Sequence, residues 1–305
     1  MTRLSPRTAL LMTLPPLLWA GNAVVGRLLV GSVPPLTLNL LRWLLVTLIL
    51  LPFGWRALAR PRRIVARWPH LLLLGVLGIS TYNAMQYLAL VTTTPINVTL
   101  IASSSPVWML AIGALLHGER PRRRQVAGAV FSIAGVLLVI ARGDPAALAR
   151  VQFVTGDLYM LFAIVAWAFY SWMLARPPRS MRAPERPDWN WAAFMLVQVL
   201  FGLLGAAAAA GAELEQGAAP VVWSGWVLAA LLYVAVGPSI IAYRCWGLGI
   251  AAGGPALAAF FGNLTPVFAA LLSAALLGEL PRWYHGIAFA LIVAGIIVSS
   301  PRRRA

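Results

Sequence analysis

Aromatic, amide and hydroxyl side chains recur at short spacings inside the apolar runs of this sequence. Trp19 and Asn22 are three residues apart, and Trp167 and Tyr170 repeat that spacing. Residues three or four apart lie on one face of a helix, so each pair presents a ring beside a polar or second aromatic group. Such faces bind small molecules without covalent chemistry. The candidate cavity residues are Trp19, Asn22, Tyr82, Gln86, Ser104, Trp108, Trp167, Tyr170, Tyr243 and Asn263.

These side chains also have a structural interpretation, because buried polar groups join transmembrane helices to one another. By contrast, nothing in the sequence is typical of a catalytic or metal site. The histidines His70, His117 and His285 lie at the ends of apolar runs, and none of the eight acidic residues falls at the middle of one. Hydrolysis would need paired carboxylates, a Ser/His pair or a metal-ligand cluster. We therefore predict that the protein is not an enzyme and uses no cofactor or metal.

The apolar runs that carry the candidate residues are long enough to cross a membrane. Of the 305 residues, 61% are hydrophobic and 10% are charged, whereas soluble domains are about half apolar and a quarter charged. Runs of about twenty apolar residues match the thickness of a hydrocarbon core. The net charge of +16 could indicate nucleic-acid binding, but the arginines lie between the runs. We predict a lipid bilayer and a small-molecule substrate as partners, and no nucleic acid.

Hydropathy predicts an all-α integral membrane protein with ten transmembrane helices. The first run is too long for a signal peptide and lacks a convincing cleavage site, so we interpret it as the first helix. Short connections leave no room for a soluble domain. The predicted spans are 8–30, 35–54, 70–91, 96–117, 125–141, 156–175, 190–211, 223–249, 255–277 and 284–300.

Arginines are concentrated on alternate connections, which predicts the orientation of the chain. One set of loops holds only Arg142, Arg150 and Arg282, and it also contains Glu213 and Glu215. The termini and the other connections hold most of the remaining arginines. Loops rich in arginine stay in the cytoplasm, so we predict that both termini are cytoplasmic. Heavy use of Ala, Gly, Pro and Arg suggests a bacterial gene, and we therefore predict a bacterial inner-membrane protein.

The two halves of the chain repeat each other at a displacement of 160 residues. Five helices are an odd number, so a second copy enters the membrane from the opposite side, as in many secondary transporters. We predict two inverted five-helix repeats, 1–150 and 151–305, around a central cavity. The matching pairs are Pro95 with Pro255, Pro106 with Pro266, Gly118 with Gly278, Glu119 with Glu279, Pro121 with Pro281 and Gly135 with Gly295.

These residues resemble the EamA-type branch of the drug/metabolite transporter superfamily. The resemblance is carried by a mid-span proline and a terminal Gly-Glu-x-Pro in each half, and supported by Trp19, Asn22, Arg42 and the Gly-Asp-Leu sequence around Asp157. It implies a secondary transporter that exports an amino acid or a compact aromatic or drug-like compound. Arg244, inside the eighth predicted span, departs from the apolar or aromatic residue expected there. A passive channel is the alternative, and a membrane enzyme is the less favoured one.

Six further residues are predicted to serve structure or gating. Arg42 lies deep in the second span, and we expect an ion pair with Asp157 rather than binding of a substrate carboxylate. Prolines near mid-span remove a backbone hydrogen bond and can act as hinges. The glutamates at helix ends suit a structural role better than proton transport. The full set is Arg42, Pro106, Glu119, Asp157, Pro266 and Glu279.

Overall fold

The computed structural model describes residues 6–93, 98, 101–141, 143–150, 154–277 and 282–299, and regular structure within them is entirely helical. The described residues form ten helices, with short helical turns between some of them. They are α1 Pro6–Leu28, α2 Pro35–Leu58, α3 Trp68–Thr92, α4 Ser105–His117, α5 Arg123–Ile140, α6 Thr155–Ala175, α7 Trp191–Glu215, α8 Gly225–Gly262, α9 Thr265–Leu277 and α10 Trp283–Ser299.

Six of these helices are long and apolar enough to cross a membrane, namely α1, α2, α3, α6, α7 and α8, and α4 and α10 are shorter apolar helices. The prediction of an all-α, multi-pass membrane protein is therefore confirmed. Ten separate crossings stay a prediction, because only these six helices are identified as full spans among the described residues.

Two predicted spans are interrupted near their middle. Turns at Ser103 and at Asn263 precede α4 and α9, and Pro106 and Pro266 occupy the second position of those new helices. A backbone N–H at the start of a helix has no partner within the helix, so proline is tolerated there. The prediction that these prolines remove a hydrogen bond from a continuous span is therefore wrong. They begin a second helical segment instead.

Helices α3 and α8 each contain a seven-residue π-helical segment, Gly75–Thr81 and Ala235–Ile241. Such segments are rare, are frequently found at functional sites, and change the backbone hydrogen-bonding pattern of the helix. In the second segment, the carbonyl oxygen of Pro238 accepts a hydrogen bond from Trp19 Nε1 at 3.1 Å. The π segments therefore supply backbone acceptors at the depth where the candidate residues lie.

A second irregularity in α8 lies between the predicted eighth and ninth spans. Gly254 has φ 80° and ψ 166° and is followed by Pro255. A positive φ of this kind is readily adopted only by glycine, so the residue type itself permits the kink. Predicted spans eight and nine are thus joined in one helical run that bends at the boundary and is interrupted again after Gly262.

Helices that are far apart in the sequence pack against each other in pairs. The pairs are α2 with α7, α5 with α10, α1 with α8 and α3 with α6. Small residues allow the close approach. A Cβ atom on Gly75 of α3 would lie 2.6 Å from the backbone nitrogen of Gly202 on α7. The largest buried cluster lies between α1, α2, α3, α4, α6, α7 and α8 and includes Trp43 and Trp167.

Candidate functional site

Aromatic rings from four helices meet in the centre of the bundle. Trp167 of α6 is 3% exposed, and its ring centroid lies 4.8 to 5.4 Å from those of five other rings. The pairs are stacked, tilted or edge-to-face, and offset-stacked and edge-to-face arrangements are the favourable ones for aromatic pairs. We call this group the aromatic cluster, and its members are Trp19, Tyr82, Trp167, Tyr170, Tyr243 and Trp246.

The structure brings together five of the candidate cavity residues, Trp19, Tyr82, Trp167, Tyr170 and Tyr243, in this cluster. The candidate cavity residues do not include its sixth member, although the sequence places that residue on the same helix face as Tyr243. Trp246 lies three residues after Tyr243, the same spacing that identified the pairs on α1 and α6, so the signal was present.

A network of buried polar groups lies beside the aromatic cluster and is centred on Arg42. Arg42 Nε donates to Ser239 Oγ at 2.5 Å, and its NH1 donates to Asn83 Oδ1 at 2.8 Å and to Tyr87 OH at 3.0 Å. Tyr87 donates in turn to Asn22 Oδ1 at 3.0 Å. We call this the polar network, and its members are Asn22, Arg42, Asn83, Gln86, Tyr87 and Ser239.

Two candidate cavity residues, Asn22 and Gln86, belong to this network, and Asn22 Nδ2 donates to Gln86 Oε1 at 3.4 Å. The network joins α1, α2, α3 and α8. Asn83, Tyr87 and Ser239 are not among the candidate cavity residues, although Asn83 and Tyr87 share a helix face four residues apart.

The expected ion pair between Arg42 and Asp157 is not among the contacts of Arg42. The described hydrogen-bond partners of Arg42 are all neutral, and its guanidinium lies 5.1 Å from the ring centroid of Trp43. Asp157 is 2% exposed and accepts hydrogen bonds from the hydroxyl of Thr93 and from the backbone N–H of Val154. The prediction of that ion pair is therefore wrong, because the Asp157 carboxylate caps the start of α6 instead.

One side chain connects the two groups. Asn83 Nδ2 donates to Tyr243 OH at 3.0 Å, and Tyr243 OH donates to the carbonyl oxygen of Gly78 in the π segment of α3. The Tyr243 ring also lies 5.4 Å from the Trp43 ring. Aromatic surface and a buried guanidinium are therefore held within one continuous set of contacts.

A cavity of about 250 Å³ lies next to the polar network, at the ends of α1, α2, α3 and α7. Tyr87 and Leu38 form part of its wall, as does Glu213. The Glu213 carboxylate accepts the backbone N–H groups of Leu36 and Thr37 at 2.9 and 2.7 Å, so it caps the start of α2. A smaller cavity, of about 100 Å³, lies at the opposite end and includes His70 and Arg186.

The remaining candidate cavity residues lie outside both groups. Trp108 Nε1 donates to Ser104 Oγ at 3.1 Å, and no ring contact joins Trp108 to the aromatic cluster in the described part of the chain. Asn263 is buried, and its Nδ2 has no hydrogen-bond partner there. These three residues flank the interruptions before α4 and α9 and stay predictions as substrate contacts.

The other structural or gating candidates are dispersed. Glu119 forms an ion pair with Arg176 at the end of α6, while Glu279 lies outside the described residues. Arg244 is exposed, with its guanidinium 5.3 Å from the ring centroid of Trp191. Among the described residues, no group of three His, Cys, Asp or Glu side chains could hold a metal ion.

Comparison with known proteins gives the family. Residues 6–141 and 154–300 each match the EamA-like transporter family. The chain belongs to this family. The resemblance inferred from the two Gly-Glu-x-Pro motifs is thereby confirmed, and with it the prediction of a membrane transporter rather than an enzyme.

Relatives of this EamA-like transporter match along nearly its whole length. An uncharacterized transporter of Archaeoglobus fulgidus is 26% identical over 302 residues, covering 98% of this chain and 99% of the relative. The aromatic amino acid exporter YddG of Ancylobacter novellus is 29% identical over 291 residues, covering 93% of each. A solved crystal structure superposes with a TM-score of 0.72 at 27% identity and covers 96% of both chains.

Proposed function

We propose that the protein is a carrier that exports an amino acid or a compact aromatic compound across the cytoplasmic membrane. The observation that carries this proposal is the contact between the aromatic cluster and the polar network at Tyr243 and Asn83. Rings bind apolar or aromatic groups by stacking, and amides and hydroxyls bind polar head groups. A substrate with one apolar part and one polar part suits that combination, and one relative is named as an exporter of aromatic amino acids.

Alternating access is the mechanism that the internal similarity supports. We infer two inverted repeats, 1–150 and 151–305. The π segments begin at Gly75 and Ala235, 160 residues apart. Helices α4 and α9 begin at the same displacement, and the family matches the chain twice. Inverted halves can exchange roles, so that one central site faces each side of the membrane in turn.

The arginine distribution supports an orientation with both termini in the cytoplasm. In that orientation, the 250 Å³ cavity beside Tyr87 faces outward, and the 100 Å³ cavity beside His70 faces the cytoplasm. A reporter fused after Ala305 is expected inside, and one inserted near Glu215 outside. Finding both on the same side would contradict the ten-span topology.

Counterflow in proteoliposomes tests the carrier proposal directly. Liposomes loaded with an unlabelled amino acid, nucleoside or cationic dye are diluted into a trace of the labelled compound. A carrier with one alternating site accumulates label transiently, whereas a passive channel only equilibrates it. Accumulation of an aromatic or apolar amino acid, absent from protein-free liposomes, is the expected result. Equilibration without overshoot for every compound would support the channel alternative and reject the carrier.

A further inference from the structure

Arg42 carries a charge that the described structure does not neutralise. Its side chain is 0% exposed, and arginine stays protonated in proteins. Asn83, Tyr87 and Ser239 accept its hydrogen bonds, and none of them is ionised in that role. Removing a charge from water is costly unless it is paired and hydrogen-bonded. The buried guanidinium therefore favours an anionic partner.

Part of the guanidinium is available to such a partner. The NH2 nitrogen of Arg42 is buried and has no hydrogen-bond partner among the described residues, while Nε and NH1 are occupied. Those occupied donors fix the plane of the group, so the remaining nitrogen has a defined direction before any ligand arrives. Arginine is the side chain best suited to planar recognition of a carboxylate.

The polar network around Arg42 borders the 250 Å³ cavity. Tyr87 lines the cavity and accepts a hydrogen bond from Arg42. Leu38 also lines it and precedes Arg42 by four residues, so the two share a face of α2. The guanidinium therefore lies one hydrogen bond behind the cavity wall.

We propose that Arg42 binds the carboxylate of the transported molecule, which makes the substrate a compound with one carboxylate and an apolar or aromatic part. This inference rests on the proposed transport function. The apolar part contacts the aromatic cluster, because Asn83 connects Arg42 to Tyr243. The ammonium group of an amino acid is accommodated over a ring face by cation–π attraction.

Paired probes separate this inference from a general preference for aromatic compounds. Tryptophan and phenylalanine are compared with tryptophanamide and phenylalaninamide, which keep the ring and the amine but lack the carboxylate. Binding is measured by the thermal stability of the purified, full-length protein, and transport by counterflow. The native protein is expected to be stabilised by the acids and to bind the amides at least about tenfold more weakly, since hydrogen bonds between charged groups are the strong ones.

Arg42→Gln and Arg42→Lys test the residue itself. Arg42→Gln should remove the preference for acids over amides, and Arg42→Lys, which keeps the charge but not the planar donor pair, should retain a reduced preference. Arg244→Gln is the matched control, because Arg244 is an arginine within α8 that is exposed beside Trp191. It should keep the native preference. If Arg42→Gln does not fold, the comparison of acids and amides on the native protein and on Arg42→Lys still decides the question.

The outcomes distinguish the two proposals. Equal stabilisation by acids and amides, no stabilisation by any acid, or an unchanged preference in Arg42→Gln would overturn the carboxylate site. Counterflow of the amides as fast as the acids would overturn it too, while the carrier function would stand. Binding of the acids that depends on Arg42, without counterflow of any probe, would reject the carrier function and support the site.

Discussion

The helix pair α5–α10 and the centre of the bundle are packed in different ways. In the pair, a Cβ atom on Gly128 would lie 2.7 Å from the carbonyl oxygen of Gly295, and one on Gly135 would lie 2.8 Å from that of Ala288. The backbones come into close contact at these glycines, and the side chains around them are small or aliphatic, such as Ser132 and Ile292. In the centre, rings and a guanidinium separate the helices, and Trp167 contacts five other rings.

This difference assigns different roles to the two regions. Lipid tails are as apolar as leucine, so close van der Waals packing of small residues is an effective way to hold membrane helices together. Large side chains with polar atoms are costly to bury and are kept where they meet partners or ligands. We expect substitutions in α5–α10 to damage folding, and conservative substitutions in the centre to damage transport.

Gly295→Leu should have the largest effect. Its Cβ would lie 2.7 Å from the carbonyl oxygen of Gly128 and 2.7 Å from Ser132 Oγ, so α5 and α10 must separate. We expect loss of the monodisperse peak in size-exclusion chromatography of the purified protein. Gly286→Leu is the matched control in the same helix, because a Cβ there meets nothing within 4 Å. A folded Gly295→Leu protein with native thermal stability would contradict the scaffold role.

Trp167→Phe should reduce transport while keeping the fold. Replacing Trp167 by Ala would also create a cavity costing about 3–5 kcal/mol, whereas phenylalanine keeps a ring at the centre. We expect initial counterflow to fall about tenfold, since lost ring contacts of about 1.4 kcal/mol correspond to that factor. Melting temperature is measured alongside.

Trp108→Phe is the companion to that experiment. Trp108 is partly buried and hydrogen-bonds to Ser104 outside the aromatic cluster. Its replacement removes that one hydrogen bond, worth about 1 kcal/mol, and should change counterflow by no more than about fivefold. A larger loss for Trp108 than for Trp167 would move the binding site toward the interruption before α4.

Glu213→Gln tests a smaller contribution at the 250 Å³ cavity. The Glu213 carboxylate accepts the N–H groups of Leu36 and Thr37 and the Thr37 hydroxyl, which stabilises the start of α2. Weakening such a cap costs about 1 kcal/mol, so the melting temperature should fall by about 2–4 °C. Glu215→Gln, two residues further on and exposed, should leave it unchanged. Equal shifts would show that net charge, not the cap, is responsible.

Most residues of the aromatic cluster could be predicted from the sequence, but the hydrogen-bond partners of Arg42 could not. Helix spacing and the cost of polar groups in lipid were sufficient to select Trp19, Tyr82, Trp167, Tyr170 and Tyr243, because each of those arguments concerns one helix at a time. The partners of Arg42 depend on the relative register of α2, α3 and α8, which no local pattern specifies. An ion pair with Asp157 was therefore expected where neutral partners occur.

The fold also has features that the sequence predicts and features that it does not predict. Apolar runs predicted the helices, since span length follows directly from hydropathy. They could not predict the π segments in α3 and α8 or the turns at Ser103 and Asn263, because the residues there are as apolar and as small as those of continuous helices. Proline position was the available signal, and it was interpreted as a hinge rather than as a helix start.

The smallest effect is expected from a pH difference across the membrane, which tests whether transport is coupled to protons. The buried carboxylate of Asp157 is held by Thr93 and the start of α6, and Glu119 pairs with Arg176, so both are engaged in structural contacts. We expect counterflow at clamped voltage to be the same with and without an imposed pH difference, and Asp157→Asn and Glu119→Gln to keep that independence. The acidic residue Glu279, outside the described residues, is replaced by glutamine in the same series. Strict dependence on the pH step, abolished by one of these amides, would identify a proton antiporter. It would also place proton transfer at a helix end, away from the aromatic cluster, which would make the centre a binding site only.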